Sequence, residues 1–169
     1  SHKVLTGLLF MQCFTGFFYY LTMFFVVLFC LLPTVVNAGA EIKKSPKKLI
    51  TDIVYSDENG KKYELKSNKQ RLTALHFWAT WCVPCVKELP QVNKAQKKYA
   101  DKGFKVVALS LDGNNIKNVK TFYKDNKIEN LDLYFDSDMN AFQKLRVRGL
   151  PTTIFINEKN EEIARAEGD

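Results

Sequence analysis

The 169-residue chain carries 25 Lys plus Arg against 18 Asp plus Glu, a formal net charge of +7, and four Cys. No charged residue lies between Lys3 and Glu41, so an apolar leader is joined to a polar body of 129 residues that holds every acid. A body of that size buries a single core, which excludes a multidomain enzyme, and the composition excludes collagen-like, coiled-coil and disordered chains.

Residues 4–36 are almost continuously apolar and exceed the roughly 20 residues a membrane helix needs. Residues 1–40 are therefore expected to be a signal peptide or an N-terminal membrane anchor. Small residues at Ala38 and Ala40 offer cleavage sites. Lys43, Lys44, Lys47 and Lys48 outnumber the one Lys before the span, which by the positive-inside tendency would hold the body in the cytoplasm. A cleaved leader escapes that tendency, and a large domain translocates largely regardless of charge, so the body is expected on the extracytoplasmic side. Residues 41–49 read as a Lys-rich linker suited to a membrane surface. The remaining lysines are scattered, without interleaved Arg or aromatics, which argues against nucleic acid as a partner.

The ordered domain is expected to occupy 50–169. Segments 53–56 and 62–65 flank Asp57-Glu58-Asn59-Gly60 and predict a β-hairpin, with Asn59-Gly60 supplying positive φ angles. Residues 73–78 form a short apolar run, the pattern of a strand buried on both faces. A helix follows over 82–100, with Val86, Leu89, Val92, Ala95 and Tyr99 as its apolar stripe and Pro90 as a bend. Residues 105–111 predict a second buried strand, 116–125 a helix and 131–135 a third strand. Asp136 or Ser137 is positioned to cap a short helix over 139–145. Segments 152–156 and 161–166 complete an antiparallel hairpin. Strands alternating with helices and ending in a hairpin predict an α/β three-layer sandwich with a mixed central sheet. Such a sheet needs cover on both faces, and the sequence reads as lacking its C-terminal helix.

Cys82-Val83-Pro84-Cys85 falls where the strand at 73–78 gives way to the helix. A thiol at a helix start faces unpaired N–H groups and the positive end of the macrodipole, which favour thiolate. Cys82 is thus the expected nucleophile, and Cys85, one turn further in, is placed to attack a mixed disulfide. Half a zinc site is the competing reading. Zinc takes about four ligands, whereas the body offers only His76 besides this pair, since Cys13 and Cys30 lie in the leader. A purely structural bridge closing so short a loop would constrain the unfolded chain little. No metal or organic cofactor is expected.

The string Phe77-Trp78-Ala79-Thr80-Trp81-Cys82-Val83-Pro84-Cys85, continued by Lys87-Glu88-Leu89-Pro90 and later by Gly149-Leu150-Pro151-Thr152, resembles the thioredoxin superfamily and its membrane-tethered TlpA/ResA branch. The resemblance covers about 50–167 and includes the strand-helix insert near 128–146. It implies a thiol-disulfide oxidoreductase outside the cytoplasm, reducing disulfides of client proteins in cytochrome c maturation or oxidase copper-site assembly, with electrons from a membrane thiol donor. It further implies Cys82 as attacking thiol, Cys85 as resolving thiol and Pro151 as a cis-proline that turns Leu150 toward the client. Glu88, three residues after Cys85, matches a carboxylate that tunes the thiols, whereas spacing alone favours a solvated helix acid. Trp81 and Pro84 join the client-contacting surface, although Trp78 and Trp81 are read as packing the site rather than reacting. His76 departs from the pattern, standing where a buried acid or Asn is usual, and is read as a buried neutral group that hydrogen-bonds or relays protons. Val83 departs too, and the Val-Pro dipeptide leaves the direction of electron flow open. The alternatives are an oxidant that donates its disulfide to folding proteins, a redox-idle metallochaperone-like binding protein, and, more remotely, a peroxidase.

Overall fold

Every residue from Thr73 to Trp78 is 3% exposed or less, so this run, predicted to be a strand covered on both faces, sits at the centre of the molecule. The computed structural model describes residues 41–67 and 70–168, within the compact unit Gly39–Asp169. The leader at 1–40 lies outside the described residues. The strands are β1 (Glu41–Leu49), β2 (Val54–Asp57), β3 (Lys62–Glu64), β4 (Leu72–Trp78), β5 (Phe104–Ser110), β6 (Tyr134–Phe135), β7 (Thr152–Asn157) and β8 (Glu161–Glu167); the α-helices are α1 (Val83–Tyr99), α2 (Ile116–Asp125) and α3 (Asn140–Lys144). The strands form one sheet in the order β1-β8-β7-β4-β5-β6-β2-β3. β5 is parallel to β4 and β6 to β5, whereas β7 is antiparallel to β4, which makes the expected mixed sheet.

Alternation along β4 separates two cores. Leu75 and Phe77 face one, with Val107, Leu109, Ile154, Ile156 and Ala141 of α3. Ala74 and Trp78 face the other, with Cys82, Cys85 and Leu89 around α1 and Val119 and Tyr123 of α2. His76, between Ala74 and Trp78 in the alternation, shares this second face, beneath the helix that carries the cysteines.

Four sequence expectations need correction. Residues 41–49 are not a linker: they form the edge strand β1, paired antiparallel with β8 from Glu41↔Glu167 to Leu49↔Glu161. Its side chains are almost all exposed, so backbone pairing rather than apolar alternation holds it, and no periodicity announces it. Pro46 and the register shift between Lys44 and Lys48 are tolerated because the outer edge has no partner strand among the described residues. Secondly, the buried stripe of α1 is Cys85, Leu89, Asn93 and Gln96: of the predicted apolar set Leu89 is fully buried, Val86, Val92 and Ala95 are half-buried, and Tyr99 is exposed. Two polar residues belong there because they bond backbone: Gln96 accepts from Val106 N–H and donates to the Phe104 carbonyl, and Asn93 accepts from Asn130 N–H at 2.8 Å. Thirdly, the strand expected at 131–135 pairs only through Tyr134 and Phe135; Leu131 and Leu133 pack into the second core without joining the ladder. Fourthly, only Gly60 of the Asn59-Gly60 pair takes a positive φ, +80°. Asp57 shapes the turn instead, accepting from the N–H groups of Asn59 and Lys61.

The short helix is held as expected of Asp136. Its buried carboxylate accepts from Ala141 N–H at 3.0 Å and Phe142 N–H at 2.8 Å.

Candidate active site

Trp78 ends β4, and residues 79–81 lead into Cys82, the N-cap of α1. Cys82 and Cys85 are joined in a disulfide with an S–S distance of 2.06 Å. The Cys82 sulfur also accepts from the Cys85 backbone N–H at 3.3 Å, one of the N–H groups that a helix start leaves without an intrahelical partner. Once the bridge is opened, the same N–H and the helix dipole favour a thiolate on Cys82. Burial separates the two sulfurs: Cys82 is 7% exposed and Cys85 fully enclosed. Only the first has a face toward an approaching partner.

The rim around Cys82 is apolar and open. Trp81 is 68% exposed and Val83 62%, and Pro84 is also exposed. Trp78 packs as expected, tilted against Phe122 and Tyr123. Trp81 does not: it stands out in solvent beside the disulfide, which corrects the packing expectation and suits the contact surface also expected of it.

Across the site, Phe77 is directly opposite Thr152 in the β4–β7 ladder, which places Pro151 next to the end of β4. The Leu150–Pro151 bond is cis. Pro151 is buried, and half-buried Leu150 packs against both cores. The cysteine motif and the loop at 149–151 thus meet at one end of the sheet although some 65 residues apart in sequence.

Glu88 lies one turn beyond Cys85 on α1, half-buried, and desolvation raises its carboxyl above the ordinary value. It makes no ion pair or hydrogen bond among the described residues. His76 is completely enclosed, and desolvation holds its pKa down to about 4. Its Nδ1 lies 2.8 Å from Thr153 Oγ1, on the residue directly opposite in β7, while Nε2 has no hydrogen-bond partner among the described residues. His76 therefore ties the strand leading to the cysteines to the strand leaving Pro151.

One element of the site was not anticipated. Asp112, read only as a loop residue, accepts from Thr80 N–H at 3.0 Å, from the Thr80 hydroxyl and from Ser110 Oγ at 2.7 Å. It fastens the 79–81 loop to the end of β5 just before Cys82. An Asp two residues past a buried strand is the only sequence signal of this. Removing the acceptor strands its donors, so Asp112→Ala is expected to cost about 2 kcal/mol, read from urea denaturation midpoints. A change below about 0.5 kcal/mol would mean that the loop is held otherwise.

A disulfide at a helix start, set at the end of a mixed sheet opposite a cis-proline loop, defines a thioredoxin-like thiol-disulfide oxidoreductase. Residues 46–164 match the AhpC/TSA family, and the chain belongs to it. It is similar to the thiol-disulfide oxidoreductase ResA of Bacillus thuringiensis subsp. konkukian, 34% identical over 127 residues that span 75% of this chain and 69% of the relative. The sporulation thiol-disulfide oxidoreductase A of Bacillus subtilis is 34% identical over 96 residues, 56% of this chain and 58% of that one. Among solved structures, the exposed lipoprotein thioredoxin of Streptococcus pneumoniae superposes with a TM-score of 0.60 at 26% identity, covering 70% of this chain and 90% of that one. The StoA structure from Bacillus subtilis gives a TM-score of 0.54 at 26% identity, over 76% and 91%.

Proposed function

We propose that this enzyme works outside the cytoplasm as a reductant of client-protein disulfides, in cytochrome c maturation or oxidase copper-site assembly. The observation that carries the chemistry is the Cys82 sulfur at the N-cap of α1, with a partly open face and a backbone N–H aimed at it. In the dithiol form the Cys82 thiolate attacks a client S–S bond, forming a mixed disulfide and expelling one client thiolate. Cys85 then loses its proton and attacks the Cys82 sulfur, which releases the second client thiolate and closes the Cys82–Cys85 bridge. Two electrons pass to the client, and a membrane thiol donor returns two to the enzyme. Trp81, Pro84, Leu150 and Pro151 form the surface on which the client lies. The apolar leader supports export or tethering, as does the name of the pneumococcal relative, an exposed lipoprotein.

Glu88 takes the proton of Cys85 during resolution. A carboxyl raised by desolvation is a better proton acceptor than a free one, because its basicity lies nearer the working pH. Glu88→Gln is expected to slow mixed-disulfide resolution by about 100-fold while the first attack stays fast. Rapid-quench kinetics separates the two steps, and equal resolution rates in both proteins would remove Glu88 from the mechanism.

The reduction potential tests the direction of electron flow. A reductant is expected to lie well below about −120 mV, where strong oxidants are found. A value at or above that mark would make the protein a disulfide donor.

A further inference from the structure

On the sheet face opposite α1, a cavity of about 360 Å³ opens between β1, β8 and the loop that joins α3 to β7. Its charged lining is Lys48, Arg146, Arg148, Arg165, Glu162 and Glu167. The chain has only four arginines, and three of them are here. The acids are already engaged: Glu162 binds Arg165 Nε at 3.0 Å and Nη2 at 3.1 Å and accepts from Ser45 Oγ at 2.8 Å, while Glu167 lies 3.9 Å from Arg165 Nη1. Arg165 also donates to the carbonyl of Leu145 at 2.9 Å. Arg146 and Arg148, both exposed, meet no carboxylate among the described residues. Arg146 keeps its long side chain at φ +52°, a left-handed conformation that a glycine would adopt without strain.

The cavity is linked to the redox site in two ways. Arg148 lies three residues before Pro151. A neighbouring cavity of about 270 Å³ shares Ser45, Arg165 and Glu167 with the first and extends to Gly168, whose N–H donates to the Pro151 carbonyl at 2.8 Å. A groove therefore leads from the client-contacting loop, past the balanced charges of Glu41, Lys43, Arg165 and Glu167, to the cavity that holds Arg146 and Arg148.

We propose that Arg146 and Arg148 select clients by an acidic segment flanking the reactive disulfide. Guanidinium forks pair carboxylates in a bidentate manner, and two that line one cavity suit a segment of an extended polypeptide carrying more than one Asp or Glu. This rests on the proposed attack of Cys82 on a client disulfide and adds the chemistry of the client.

The test uses two disulfide-bonded peptides that differ only in carrying Asp/Glu or Lys residues beside the cystine, with the full-length enzyme. The wild type is expected to favour the acidic peptide by about tenfold in kcat/KM at low salt, with the preference shrinking as ionic strength rises. The Arg146→Glu/Arg148→Glu double variant is expected to invert it. Because the readout is a ratio within one enzyme, general damage to the variant cancels. Equal kcat/KM values for the wild type, or an acidic preference that survives in the variant, would overturn the proposal. Failure of the wild type to reduce even the uncharged bis(2-hydroxyethyl) disulfide would instead overturn the underlying attack by Cys82.

Discussion

Cys82→Ser is expected to lower disulfide reduction by about 10³-fold or more, the loss that follows when a thiolate nucleophile becomes an un-ionised hydroxyl. Cys85 is not a substitute, because its sulfur is fully enclosed while that of Cys82 retains an open face. Turnover of a fluorescent insulin disulfide by the dithiol forms of both proteins gives the comparison. The result also separates catalysis from its rival of another class: a binding protein that uses the same apolar rim would keep its client-dependent activity in the serine variant. Retained activity would therefore remove thiol exchange from the function.

The second large effect concerns pH. His76 has a pKa near 4 in the folded protein against an ordinary value of 6.5. Between those values the unfolded chain takes a proton that the folded chain refuses, so stability is complete above pH 6.5 and falls as the pH drops toward 4. The shift corresponds to about 3 kcal/mol across that window. Glu88 and Asp136, whose carboxyls are raised chiefly by desolvation, act in the opposite sense, because their folded forms hold protons more readily. The comparison with His76→Asn isolates the histidine, since the Asn amide can occupy the place of Nδ1 beside Thr153 without titrating. Urea denaturation at pH 7.5 and pH 4 is expected to show the wild type losing about 3 kcal/mol more than the variant. Equal losses would mean that His76 takes a proton in the folded state.

The parts legible in the sequence were those carried by a continuous physical pattern. The buried strands β4 and β5 announced themselves as apolar runs, α2 and the β7–β8 hairpin fell on the segments expected for them, and the redox centre was marked by two cysteines at a strand-to-helix junction. The parts that were not legible depend on partners distant in the chain. β1 carries lysines on both faces and is a strand only because β8 offers a free edge. Asn93 and Gln96 look like solvent positions until the backbone at 104–106 and Asn130 become their partners. Asp112 gained its role from Thr80, 32 residues earlier. Trp81 was open in the other direction, since aromatic character alone does not say whether an indole fills a core or stands exposed beside a reactive sulfur.

The division of labour between the two cysteines is tested most directly by trapping a mixed disulfide. Reduced Cys85→Ser and Cys82→Ser proteins, incubated with glutathione disulfide at neutral pH and mapped by peptide mass after digestion, report which sulfur attacks. Mapping separates these sites from Cys13 and Cys30. Cys85→Ser is predicted to accumulate a stable adduct on Cys82, with one glutathione thiolate released per adduct, and Cys82→Ser to form little adduct on Cys85. Adducts forming on Cys85 as fast as on Cys82 would contradict the account.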